Sequence, residues 1–226
     1  MTMTVVIPIG KWYFALMSAE PDSKQKTILA AARLLRRRGY QGTALSDILV
    51  AAGSPRGSLY FHFPKGKEEI AVAALALAAG VVREAIAGAA RTSKSAEAFL
   101  IRIARGMAAD LERSGFTEGC PIAPTALEMS GASQALTAAA RAAFQGWEQE
   151  IATGLRAFRF KPERAEMLAT AALSQLEGAL LLARAYQGVE PMRRSEEAIK
   201  ALVRAFSGSQ PRNDVKRRRK VTLPAP

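Results

Sequence analysis

The sequence predicts an all-α protein: an N-terminal three-helix helix-turn-helix unit followed by a larger helical body. Two observations predict the fold. From Lys67 to Phe206 apolar residues recur at helical spacing, alanine is abundant, and no stretch sustains the period-two alternation of a half-buried strand. Between Lys24 and Lys67 three short helical patterns are separated by two tight turns and end in a cluster of aromatics. A third observation concerns charge. The net charge is +12, yet residues 69–207 carry only +1, while residues 21–68 carry +6 and residues 208–226 carry +5. The predicted divisions are an extension at 1–20, the helix-turn-helix unit at 21–68, the helical body at 69–207 and a basic tail at 208–226.

The first helix is expected from about Ser23 to Arg38, with Ile28, Ala31, Ala32, Leu34 and Leu35 as its apolar face. Ser23 suits its N-cap and Gly39 a left-handed stop. Arg36, Arg37 and Arg38 fall in the last turn, where cations suit the helix dipole, and read as a solvated helix end. The second helix is expected after Thr43, whose hydroxyl can cap free N–H groups; it presents Leu45, Ile48 and Leu49 and stops at Gly53. Ser54 then suits the cap of a third helix, with Pro55 at its first position. Gly57 is costly inside a helix, by about 1 kcal/mol against alanine. A helix lying against a phosphate backbone gains from having no side chain there.

The third helix is written as a surface that reads DNA. Arg56 can reach guanine edges or a phosphate. Ser58, Tyr60 and His62 offer donors to phosphates, and Leu59 and Phe63 should be core. Lys67 opens the next helix, where a free N-terminus and an ammonium together suit a phosphate. The candidate DNA-binding set is Thr43, Ser54, Pro55, Arg56, Gly57, Ser58, Tyr60, His62 and Lys67. Tyr60 equally suits a half-buried core position. Concentrated basic charge around these residues fits phosphate attraction better than a generally basic surface.

At these residues the chain resembles the TetR family of bacterial transcriptional repressors. The matching positions are Ile28, Ala31, Ala32, Gly39, Tyr40, Thr43, Ile48, Ala52, Gly53, Gly57, Leu59, Tyr60, His62, Phe63, Lys67 and Glu68. Ala44, Leu49 and Ser54-Pro55 depart from the family's usual residues. The run Ser54-Pro55-Arg56-Gly57-Ser58-Leu59-Tyr60, the inserted Gly66 and Gly119-Cys120-Pro121-Ile122-Ala123 resemble the LmrA/YxaF-like subgroup. The resemblance implies a homodimer that binds a palindromic double-stranded DNA operator and releases it when a small molecule enters the C-terminal domain. It implies no cofactor and no enzyme activity.

In the body, helices are expected at about 67–91, 95–113, 122–130, 134–158, 162–187 and 195–207, with breaks that include Gly131 and Gly188 to Pro191. Bulky residues cluster among the alanines. Phe99, Ile103, Met107, Phe116, Cys120, Leu127, Phe144, Trp147, Leu176 and Leu180 form a candidate pocket, although each alone suits ordinary core. Few charges fall on those faces, which predicts an apolar or aromatic effector. By resemblance, Ala172, Leu176, Ala179, Ala183, Leu202 and Phe206 belong to a four-helix dimer interface; on sequence alone they suit intramolecular packing equally.

Other functions find little support. His62 is the only histidine and Cys120 the only cysteine, which excludes a multi-histidine metal or catalytic centre and an internal disulfide. Glu128, Glu148 and Glu177 lie near the expected pocket faces as carboxylates in principle available for catalysis, more simply structural or ligand-orienting. Cys120 reads as a small buried residue; a redox sensor would need a lowered thiol pKa. The apolar first 17 residues are broken by Pro8, Gly10 and Lys11 and suit neither a membrane span nor a signal peptide; Met17 is an alternative start. No other segment is expected to span a membrane, which predicts a cytoplasmic protein without a membrane partner. The tail around Lys216 to Lys220 is expected to be disordered, adding either attraction to DNA or only solubility. A transcriptional activator and a ligand-independent DNA-binding protein remain as alternatives.

Overall fold

The computed structural model describes residues 21–207, and within them the chain forms nine α-helices and no strand. The extension at 1–20, the tail at 208–226 and the side chains of Arg56 and Ser58 lie outside the described part. α1 (Ser23–Arg38) is capped one residue earlier than expected. Asp22, not Ser23, accepts the Gln25 N–H at 2.7 Å, and the Gln25 side chain returns to the Asp22 N–H. This reciprocal capping box satisfies two otherwise orphaned donors. α2 (Leu45–Ala52) ends at Gly53, whose left-handed backbone (φ 61°, ψ 29°) lets the chain turn sharply into α3 (Arg56–His62). Ile48, Leu49, Leu59 and Phe63 are buried with Ala31 and Leu35 and lock the three helices together.

The body follows as α4 (Lys67–Thr92), α5 (Ala96–Arg113), α6 (Ala123–Met129), α7 (Gln134–Ala157), α8 (Pro162–Tyr186) and α9 (Glu190–Ser207). α4 packs on α7, α7 on α8 and α8 on α9, while α1 lies on α4 and joins reader to body. The Trp147 indole N–H donates to the Ala79 carbonyl at 3.0 Å and pins α7 to α4. At Gly154 a Cβ would lie 2.7 Å from the Phe99 ring, so close packing of that aromatic requires glycine.

Three expectations about the body need correction. α9 begins at Glu190, about five residues early, because Pro191 sits in its first turn, where a missing N–H has no intrahelical partner to lose. Gln187, not Gly188, takes the left-handed position (φ 53°, ψ 39°) that stops α8. And α4 is long and apolar enough, by length and composition, to cross a membrane. Its Ile70, Ala74, Leu75, Ala78, Val81 and Ile86 are buried against this same chain, so its apolarity is used by the core.

Candidate nucleic-acid interface

α3 is anchored on one side and open on the other. Leu59 and Phe63 are almost fully buried, whereas Tyr60 is 62% and Phe61 86% exposed. The open face settles Tyr60 outside the core. Gly57 has nothing within 4 Å of where a Cβ would stand, so a flat backbone can approach that turn. Pro55 is exposed, and it is the N-cap of α3; the helix proper starts at Arg56. Ser54 makes no cap bond. Its hydroxyl lies 3.3 Å from the Thr27 hydroxyl and 3.4 Å from that of Ser23, tying the turn to α1. His62 is half-buried, edge-on to Phe61 at 5.1 Å between ring centroids.

Thr43 is placed differently from expectation. It is fully buried, and its hydroxyl donates to the Gly39 carbonyl at 2.7 Å. The residue at the α2 N-cap is Ala44, without a side-chain cap. Thr43 therefore braces the α1–α2 turn from inside and presents no hydroxyl outward. Lys67 does open α4, but its ammonium stands 4.0 Å from the centroid of the Tyr40 ring, a cation–π contact. Burial lowers the Lys67 pKa, and the Glu128 carboxylate partly opposes the shift. Burial, with Glu68 nearby, raises that of Tyr40.

The reader is joined to the body by contacts that the sequence does not announce. Arg36 is no solvated helix end. Its Nε donates to the Gly119 carbonyl at 2.7 Å, and its guanidinium pairs with Glu118 at 3.4 Å and Asp110 at 3.9 Å. Asp110 is buried and also pairs with Arg113. Arg184 reaches from α8 to the Arg37 carbonyl at 3.0 Å. Glu128 of α6 accepts the Gln41 N–H at 2.8 Å, and Glu68 accepts the Ser133 hydroxyl. The partners lie 83, 87 and 147 residues apart for Arg36–Gly119, Gln41–Glu128 and Arg37–Arg184, so no local spacing could reveal them.

Of the expected pocket residues, Phe99, Cys120, Trp147, Leu176 and Leu180 are buried. Ile103, Met107, Phe116 and Phe144 pack against that core while keeping partial exposure, with Phe144 edge-on to Trp147 at 5.4 Å. Leu127 does not join them. It is 81% exposed, on the outward side of the two-turn helix α6, whose inward face is Thr125 and Met129. The Cys120 thiol is free and buried; desolvation and then the Glu177 carboxylate push its pKa well above the ordinary value, opposite to a reactive thiol. Burial likewise raises the pKa of Glu177.

The expected interface residues Ala172, Leu176, Ala179 and Ala183 are buried within this chain, because that face of α8 packs on α7 and α9. Leu202 and Phe206 are half-buried against the same core. The outward stripe of α8 is instead Met167, Gly178, Leu181, Leu182 and Tyr186.

Residues 28–74 match the family described as bacterial regulatory proteins, tetR family, and residues 96–198 match the transcriptional regulator LmrA/YxaF-like C-terminal domain. The HTH-type transcriptional regulator YxaF of Bacillus subtilis is 30% identical over 83% of this chain and 98% of its own. The chain belongs to the TetR family. It is a DNA-binding transcriptional regulator and not an enzyme. The HTH-type transcriptional regulator LmrA of Bacillus subtilis is also 30% identical, over 76% of this chain and 91% of its own. A TetR transcriptional regulator from Chloroflexus aurantiacus superimposes with a TM-score of 0.69 at 31% identity, covering 80% of this chain and 94% of that one.

Proposed function

We propose that this TetR-family regulator is a cytoplasmic repressor that binds a palindromic operator as a homodimer and is released by a small apolar or aromatic effector. The observation that carries the proposal is α3, held from behind by buried Leu59 and Phe63 while Tyr60, Phe61 and the bare Gly57 face outward. The basic charge of residues 21–68 supports approach to phosphate, and Arg56, Ser58, Tyr60 and His62 are the proposed reading residues. Two copies of α3 must sit roughly 34–36 Å apart to enter successive major grooves. The apolar stripe of α8 at Met167, Gly178, Leu181 and Leu182 is the surface proposed to pair with its two-fold mate. Half-buried Ile103, Met107, Phe116 and Phe144 are the proposed effector contacts. An effector lowers operator affinity only by binding one spacing of the dimer more tightly than the other.

The test is a fluorescence-anisotropy titration against the DNA upstream of the protein's own gene, with scrambled DNA as control, at two salt concentrations. A preference of roughly a thousandfold or more that survives the higher salt supports a specific operator. Equal, salt-labile binding to both duplexes rejects that DNA as the operator. Transcription that falls when the regulator is removed identifies an activator instead.

A further inference from the structure

The α1–α2 turn, residues 39–44, is one internally bonded unit. The Thr43 N–H donates to the Tyr40 carbonyl at 3.2 Å and the Thr43 hydroxyl to the Gly39 carbonyl at 2.7 Å. α2 and α3 follow directly from it, so its placement sets the placement of the reading surface. Two residues of α6 grip this turn from the body. The Glu128 carboxylate accepts the Gln41 N–H at 2.8 Å, and Met129 Sδ accepts the Gln41 side-chain amide at 3.6 Å. The carboxylate occupies the space where a Cβ on Gly39 would stand, and Gly39 has a positive φ of 72°. The backbone conformation favours glycine there, and the missing Cβ leaves the room that the Glu128 carboxylate takes.

α6 faces both ways. Thr125 and Met129 are buried in the body, while Glu128 is exposed on its outer side and aimed at the turn. We propose that Glu128 is a positioning residue for the DNA reader: it touches no DNA itself and acts by holding the α1–α2 turn through the Gln41 amide. The inference rests on the chain being a DNA reader, and it needs no effector. The group required is an acceptor oxygen at that point, so glutamine substitutes for glutamate and alanine does not.

The experiment uses the full chain with Glu128→Ala and Glu128→Gln. The probes are a duplex that the wild-type chain enriches from a random-sequence pool and an unselected duplex, both read by anisotropy across salt. E128A should bind the selected duplex about tenfold more weakly and the unselected one unchanged, with E128Q within about twofold of wild type. The slope of log affinity against log salt should not change, since no phosphate contact is lost. Hydrogen exchange at the Gln41 amide should accelerate in E128A. Wild-type affinity in E128A, equal loss on both duplexes, or equal losses in E128Q and E128A would each overturn the proposal. So would unchanged Gln41 exchange, a readout independent of DNA. A wild-type chain that enriches no duplex overturns base reading itself, which separates that failure from a failure of Glu128.

Discussion

Replacing Thr43 with valine separates an internal brace from a DNA contact. The two side chains have nearly the same shape, so packing at this fully buried site is retained and only the hydroxyl is lost. That hydroxyl makes a 2.7 Å hydrogen bond to the Gly39 carbonyl. A net hydrogen bond is worth about 1 kcal/mol, and a carbonyl left without its donor raises the cost toward about 2 kcal/mol. For a domain of this size each kilocalorie shifts the melting temperature by about 2–4 °C, so Thr43→Val should melt about 2–8 °C lower. The assay is thermal and urea denaturation by circular dichroism. It is paired with DNA titration well below the transition, where affinity should stay within about threefold of wild type. Unchanged stability together with a large loss of affinity would refute the reasoning and place the Thr43 hydroxyl on a phosphate.

Three further predictions follow from single positions. Gly53→Ala should cost about 1–2 kcal/mol through left-handed strain alone, because nothing lies within 4 Å of the new methyl; a urea titration with no loss would show that the turn relaxes. Glu177 has a folded-state pKa raised above 4.5 by burial, so its favourable contribution is complete below that value and is lost as pH rises through the folded value. Melting curves of Glu177→Gln should therefore gain on wild type as pH rises above 4.5, and a gap that is constant with pH would contradict the burial argument. Leu181→Asp places a charge on the outward stripe of α8 and should convert a micromolar dimer to monomer in sedimentation velocity, with an unchanged dimer sinking the proposed interface.

The fold was legible where punctuation is local. Gly53, Pro162 and Gly131 mark helix ends through their own backbone preferences, and α4, α7 and α8 are long enough for periodicity to show. Thr43 was misread because a hydroxyl that caps a following helix and one that bonds the carbonyl four residues back look identical in sequence. Leu127 was misread because seven residues give two turns, too few for an apolar stripe to declare its side. The small-residue face of α8 was equally suited to a neighbouring helix of the same chain and to a second copy; the intramolecular packing on α7 and α9 decides it. Arg36 was hidden for another reason. Its partners Asp110 and Glu118 lie more than 70 positions away, and a basic last turn already has an adequate local explanation in the helix dipole.

The junction between reader and body has the right energetic scale to carry regulation. Coupling between two sites typically amounts to about 1–3 kcal/mol. The interior cannot deform gradually on that scale, because Phe99, Leu176 and Trp147 are close-packed and their displacement opens cavities costing more. The Arg36 contact is different in kind. A hydrogen bond from a charged donor is worth about 1.5–3 kcal/mol, and here it joins the end of α1 to the loop that carries Cys120 into α6. Arg184 adds a contact to Arg37 in the last turn of α1, and Glu128 adds one to Gln41 just beyond it. A state of the body that loses one of these contacts and leaves the others intact changes the reader's placement at a cost within the coupling range. Under the proposed effector mechanism, the free-energy difference between the two states therefore resides in a few charged contacts around residues 36–41, and the core helices move as rigid bodies.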